Sequence, residues 1–307
     1  MNKETSVNKI DSPLSSAAED LIHTRKIKSA TPQTESPAYR LAYDDNDFIL
    51  SDNMRSLRLS LELSKTDLTL HNRNINDTIV VFGSARITSP EIAEAKLRDL
   101  EFALKHSPEN ESLDDRISLA RQDVVKSVYY KEARKLAAII TRESCAHHLP
   151  RLHIITGGGG GIMEAANRGA TDAGGESIGL NITLPEEQLP NPYITPELCF
   201  QFHYFAIRKM HFLLRARALI IFPGGFGTLD ELFDTLTLMQ TKKIKPLPIL
   251  IFGKNFWRKL VNFDFLVEEG MIRQEDKDLM TYVDSADEAW DIIEGYLGNK
   301  TIQSDIL

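Results

Sequence analysis

The stretch from Phe222 to Asp234, FPGGFGTLDELFD, packs three glycines, a hydroxyl and acidic side chains into a single turn. The apolar run ALIIF leads into it and an acidic amphipathic run leaves it, the pattern of a strand, a turn and a helix. Thr228 and Glu231 sit three residues apart. One reading is a capping box, with Thr228 as N-cap and Glu231 reaching back to its amide. The other makes Glu231 a catalyst held at a ligand-binding loop. Local spacing by itself favours the cap.

Two further strand ends carry comparable residues, FGSAR (82–86) and TGGGGGIM (156–163). Glycine lets the backbone turn sharply and approach a ligand, and a following helix N-terminus offers free N–H groups to an anion. Phosphate is the obvious candidate. Known fingerprints fail, however. Ile162, Met163 and Glu164 occupy the positions where G-x-G-x-x-G needs its third glycine, and no loop carries the G-K-[ST] of a P-loop. A dinucleotide dehydrogenase and a P-loop NTPase are both disfavoured. Such glycines can serve tight turns alone, but three loops on one sheet edge favour a nucleotide-phosphate site.

The elements that must position these loops follow from periodicity. TIVVFG (78–83), LHIIT (152–156), SIGLNITL (177–184), ALIIF and LPILIF read as strands, apolar on both faces. Helical patterns alternate with them, among them SPEIAEAKLRDLEFALKH, with Ser89 as N-cap and Pro90 at the first position, then YFAIRKMHFLLRA, TLDELFDTLTLMQTKK and SADEAWDIIEGYL. The expected fold is α/β, a Rossmann-like doubly wound parallel sheet with helices on both faces, plus an N-terminal helical extension. Three regions are expected: a mobile, Ser/Thr/Pro/Lys-rich tail over 1–40, a helical extension over 41–75, and the Rossmann-like domain over 76–307.

Composition narrows the function. The 307 residues include 36 basic and 44 acidic side chains, a formal charge of −8. That balance gives no support for nucleic acid or an anionic membrane as the main partner. Two cysteines, Cys145 and Cys199, lack paired metal spacing, as do His147, His148, His203 and His211, so neither a metal site nor a cofactor is expected. With no apolar leader and no run of membrane-spanning length, a cytoplasmic protein is expected.

At TGGGGGIMEAANRGA and PGGFGTLDE the sequence resembles the LOG family, cytokinin riboside 5′-monophosphate phosphoribohydrolases with bacterial relatives that hydrolyse purine nucleotides. The signature P-G-G-x-G-T-x-x-E runs complete from Pro223 to Glu231, and Gly157, Gly158, Gly159, Gly161 and Met163 match the second signature. Gly160 stands where relatives often carry another residue. FGSAR, YYKEARKLA and GLNITLPEEQLPN resemble the longer bacterial branch, and the likeness covers roughly residues 76 to 255. Relatives have often been labelled lysine decarboxylases; no pyridoxal-phosphate lysine motif is present here to support that chemistry.

The resemblance implies hydrolysis of the N-glycosidic bond of a nucleoside 5′-monophosphate, AMP or a cytokinin riboside monophosphate, to free base and ribose 5-phosphate. Glu231 matches the motif's carboxylate, and Arg208 and Lys209 match an Arg-Lys pair. Arg208 is expected to stabilise charge or anchor substrate, being cationic at any working pH. Gly224, Gly225, Gly227 and Thr228 would cradle phosphate, with Gly158, Gly159 and Gly161 lining the same cleft. Ser84, Asn181 and Thr237 join them by position near strand ends or on the motif helix, and Arg86 is either a phosphate contact or a surface ion pair. Homodimers or larger homo-oligomers are implied. The competing expectation is a non-catalytic nucleotide or small-ligand binder similar to molybdenum-cofactor carriers.

Overall fold

The computed structural model describes residues 14–26, 30–106, 111–146, 150–185 and 189–304. The chain divides after Leu61 into two compact units, Met1–Leu61 and Glu62–Leu307.

The first unit holds α1 (Ala17–Arg25), α2 (Pro32–Glu35), α3 (Asn46–Leu50) and the first turns of α4 (Arg55–Asn72). Of the mobile tail expected over 1–40, residues 1–13 and 27–29 lie outside the described residues. The rest includes short helices, because Ser16 and Thr31 each close a capping box, with Glu19 and Thr34 respectively. Composition conceals such local caps.

The second unit is built on β1 (Asp77–Phe82), β2 (Leu152–Thr156), β3 (Ser177–Ile182), β4 (Cys199–Phe202), β5 (Ala216–Ile221), β6 (Ile249–Phe252) and β7 (Met280–Val283). All pairings are parallel, in the order β4-β3-β2-β1-β5-β6-β7. The chain winds outward from β1 first one way and then the other, so the order reverses between β1 and β5. In an open α/β sheet that reversal leaves a crevice outside the carboxyl ends of the strands. Val81 pairs with Thr156 and Phe82 with Ile221, which brings the ends of β2 and β5 level with that of β1.

Both faces are covered, as the apolar strands require. The remaining helices are α5 (Pro90–His106), α6 (Glu111–Ala146), α7 (Ile162–Asp172), α8 (Phe205–Leu214), α9 (Phe226–Gln240), α10 (Lys254–Leu260), α11 (Phe263–Glu268), α12 (Gln274–Lys277) and α13 (Ala286–Ser304). Ile79, Val81, Ile154, Ile220 and Phe222 form one core with Leu136 and Ile140 of α6, Ala165 and Ala166 of α7, and Trp290 and Ile293 of α13. The alternate residues of β1 point the other way, where the Phe212 ring of α8 meets Phe82 edge-on at 4.7 Å. This is the doubly wound sheet that the sequence predicts. It also contains two strands absent from that reading, β4 and β7, four-residue edge strands with partly exposed positions.

Candidate active site

Three loops converge where the sheet order reverses. Phe222 N–H donates to the Phe82 carbonyl (2.9 Å), and Ser84 N–H to that of Pro223 (3.0 Å), which fastens the first loop to the third. Ile162 N–H donates to the Ser84 carbonyl (3.1 Å) and brings the start of α7 to the same place. A cleft of about 670 Å³ lies between them, lined by Ser84, Arg86, Gly157, Gly159, Met163, Asn181, Arg208, Gly225, Gly227, Thr228, Asp230 and Glu231, with Phe205, Phe226 and Leu184 also on its wall.

The middle loop is shaped by a buried amide network. Thr156 Oγ1 donates to Asn167 Oδ1 (2.8 Å) and accepts from Gly158 N–H (3.1 Å). Asn191 Nδ2 donates to the carbonyls of Gly158 (3.2 Å) and Gly159 (2.9 Å) and to Asn167 Oδ1 (2.9 Å). Gly158 has φ +80° and Gly161 φ +64°, left-handed conformations that glycine adopts without strain. A Cβ on Gly158 would also collide with the Asn181 amide, so a side chain there would displace a residue of the cleft wall.

The third loop overturns the capping box. Helix α9 begins at Phe226 and its N-cap is Gly225, so Thr228 lies inside the first turn and Glu231 in the second. Glu231 therefore does not reach back to an N-cap amide. Phe226 and Gly227 form the first turn of α9, whose N–H groups have no intrahelical acceptor, and both residues line the cleft, an arrangement suited to an anion.

Glu231 is 7% exposed. Burial pushes its carboxyl up from 4.5 to about 7; Lys209 and Arg208 oppose the rise, while Asp230 and Asp234 add to it. Arg208, on α8, donates from Nε to the Leu180 carbonyl (2.7 Å) and from Nη2 to that of Gly157 (3.4 Å), and lies 5.2 Å from the Phe212 ring centroid. Burial lowers its pKa, and the charge of Glu231 acts against that. With five donors on the guanidinium, the fork keeps others for a ligand. No ion pair joins Arg208 to Glu231 among the described residues, so a group could be received between them.

The other predicted positions fall into place unequally. Ser84 Oγ accepts from Arg86 N–H (3.1 Å), and Asn181 Nδ2 donates to the Phe200 carbonyl (3.0 Å), both on the cleft wall. Arg86 also faces the cleft, and no surface ion pair holds it among the described residues. Lys209 Nζ is paired with Asp230 (2.8 Å) and lines a neighbouring hollow; it acts on Glu231 through charge. Gly224, Gly158 and Gly161 shape the loops from behind the lining residues. Thr237 does not join the group: it is exposed on α9, and its hydroxyl is spent on the Phe233 carbonyl (2.7 Å). Sequence reasoning missed Asp230 and Phe226, both inside the P-G-G-x-G-T-x-x-E run, and the network of Thr156, Asn167 and Asn191. All five lie inside stretches already quoted, Thr156 and Asn167 in TGGGGGIMEAANRGA and Asn191 in GLNITLPEEQLPN, but no local spacing singles them out.

A family model described as "Possible lysine decarboxylase" matches residues 163–293. A probable cytokinin riboside 5′-monophosphate phosphoribohydrolase of Oryza sativa subsp. japonica is 30% identical over 141 residues, which cover 45% of this chain and 60% of the relative. A cytokinin riboside 5′-monophosphate phosphoribohydrolase of Arabidopsis thaliana is 28% identical over 151 residues, covering 47% and 68%. Among solved structures, a molybdenum cofactor binding protein from Rippkaea orientalis superposes with a TM-score of 0.44 at 17% identity, over 72% of this chain and 96% of that one. The chain spans about 60% of the first relative's length, and the residues that the family model matches include α9 and its glycine turn. By these matches, the region around α9 is similar to the family described as "Possible lysine decarboxylase" and to plant cytokinin riboside 5′-monophosphate phosphoribohydrolases.

Proposed function

We propose that the protein hydrolyses the N-glycosidic bond of a nucleoside 5′-monophosphate, AMP or a cytokinin riboside monophosphate, releasing free base and ribose 5-phosphate. The observation that carries this reading is Glu231: a buried carboxylate with its pKa raised to about 7, in a cleft shared with Arg208 and the open start of α9. The names of the plant relatives point the same way.

In this mechanism the 5′-phosphate is held by the N–H groups at Gly225, Phe226 and Gly227 and by the Thr228 hydroxyl. As the C1′–N bond breaks, positive charge builds on the ribose, and the Glu231 carboxylate stabilises it at close range in a water-poor site. The same carboxylate takes a proton from the attacking water as the new C1′–O bond forms. The departing base leaves with the electron pair of the broken bond and takes up a proton, balanced by the one that Glu231 drew from water and returns through solvent, while Arg208 offsets negative charge at the substrate. A carboxyl with a pKa near 7 suits general-base work at neutral pH.

The protein is read as cytoplasmic and as a homodimer or larger homo-oligomer; exposed Phe205, Met210 and Leu214 on α8 would suit such an interface. No helix among the described residues is long and apolar enough to cross a membrane. A panel of nucleoside 5′-monophosphates, scored by release of free base, tests the reaction. Turnover by wild type that collapses in Arg208→Lys and Glu231→Gln supports the assignment; equal turnover in the variants removes both residues from the chemistry.

A further inference from the structure

Helix α8 carries Arg208, yet it has no cap of its own. Its N-cap is Tyr204, which makes no side-chain capping bond, and its first turn contains no acidic residue. The missing acceptor comes from Glu62 on α4, more than 140 residues earlier in the chain. Glu62 Oε1 accepts from His203 N–H (2.8 Å) and Oε2 from Tyr204 N–H (3.1 Å). A carboxylate there takes the backbone donors of the N-cap residue and of the residue before it, and complements the helix dipole.

The other end of α8 is held from the same segment. Arg215, the C-cap residue, donates to Asp67 Oδ1 (2.7 Å) and, just beyond α4, to the Ile75 carbonyl (3.0 Å). Between these ties His211 is fully buried and faces the α4 backbone at Glu62 and Leu63. The stretch of α4 from Glu62 to Asp67 therefore grips α8 at both ends. Arg208 sits one turn into α8, and its guanidinium must reach the Leu180 and Gly157 carbonyls and the cleft together. A small rotation or slide of α8 would re-aim it.

We propose that Glu62 is a positioning residue for Arg208: by capping α8 from outside the 163–293 region it fixes where the guanidinium enters the cleft. This rests on the proposed function for the role given to Arg208. It also assigns a task to an N-terminal segment that the glycine-loop chemistry leaves unexplained.

The test uses the full chain with Glu62→Ala, Glu62→Gln and Arg208→Lys, singly and as the Glu62→Ala/Arg208→Lys pair, on the best nucleoside monophosphate. Glu62→Ala should lower kcat about 10- to 100-fold, as misplacement of a catalytic group by roughly 1 Å does. Glu62→Gln, which keeps one acceptor oxygen, should recover part of the loss. In the Arg208→Lys background, Glu62→Ala should cost little more, because the group it positions is already changed. Hydrogen exchange read on peptides covering residues 203–208 should accelerate in Glu62→Ala. Full additivity of the two substitutions, or unchanged exchange at 203–208, overturns the proposal. If wild type releases no base, the proposed reaction fails, while exchange still reports whether Glu62 secures α8.

Discussion

Glu231→Gln should stabilise the protein at alkaline pH while removing its activity. In the unfolded chain this carboxyl titrates near 4.5; in the fold, burial raises it to about 7. Between those values the folded protein holds the proton more tightly than the unfolded chain, so stability falls as pH rises through that window and then levels off. At about 1.4 kcal/mol for each tenfold change in proton affinity, the ionised carboxylate costs on the order of 3 kcal/mol above pH ~8. Glutamine has the same shape and no charge to desolvate. The variant should therefore match wild type near pH ~4.5 and exceed it by roughly 3 kcal/mol at pH ~8, or about 6–12 °C in melting temperature for a domain of this size. Urea denaturation of both proteins at the two pH values measures the gap directly. Buried His153 and His211, whose pKa values burial lowers, titrate alike in both proteins and cancel from the difference. A gap that does not change with pH, or a variant less stable at pH ~8, would refute the claim that Glu231 is strained by desolvation.

Three other predictions follow from the same geometry. If Glu231 acts as base, kcat should rise with pH through about 7 and then plateau, since only the ionised form takes a proton; a profile flat from pH ~5.5 to ~8.5 contradicts that role. Asn191→Ala leaves the Gly158 and Gly159 carbonyls without their buried donor, and should destabilise the fold by at least about 2 kcal/mol in urea denaturation. Gly158→Ala imposes a left-handed conformation costing ~1–2 kcal/mol and drives a methyl group into Asn181; calorimetric titration with AMP should show clearly weaker binding, and unchanged affinity would detach this loop from the ligand.

The layers of the fold were legible because the central strands carry short apolar, β-branched runs that lead into glycine-containing turns. β1, β2 and β6 are buried at every residue, which leaves a run that no amphipathic helix would show. The edge strands β4 and β7 escaped because four residues of mixed exposure present no usable period. At the site, residue types were readable but backbone geometry was not. Thr228 and Glu231 have capping-box spacing, yet α9 starts two residues before Thr228 because Gly225 can hold the N-cap position without a side-chain bond. Thr237 shared the motif helix with Glu231 but not its face. The supports were hidden by distance along the chain: Asn191 reaches the glycine loop from more than 30 residues away, and Glu62 reaches α8 from more than 140. No local pattern marks a side chain whose partner is a remote backbone amide.

The most direct test is to incubate the purified full chain with AMP and with an N6-prenylated adenosine 5′-monophosphate, and to quantify free base and ribose 5-phosphate chromatographically. Glu231→Gln is run in parallel, with nucleotide binding measured on both proteins. Equal molar amounts of base and ribose 5-phosphate from wild type, and none from a variant that still binds nucleotide, is the predicted result. Nucleotide binding by wild type with no base released over hours from either substrate would contradict it, and would leave the cleft a binding site without chemistry.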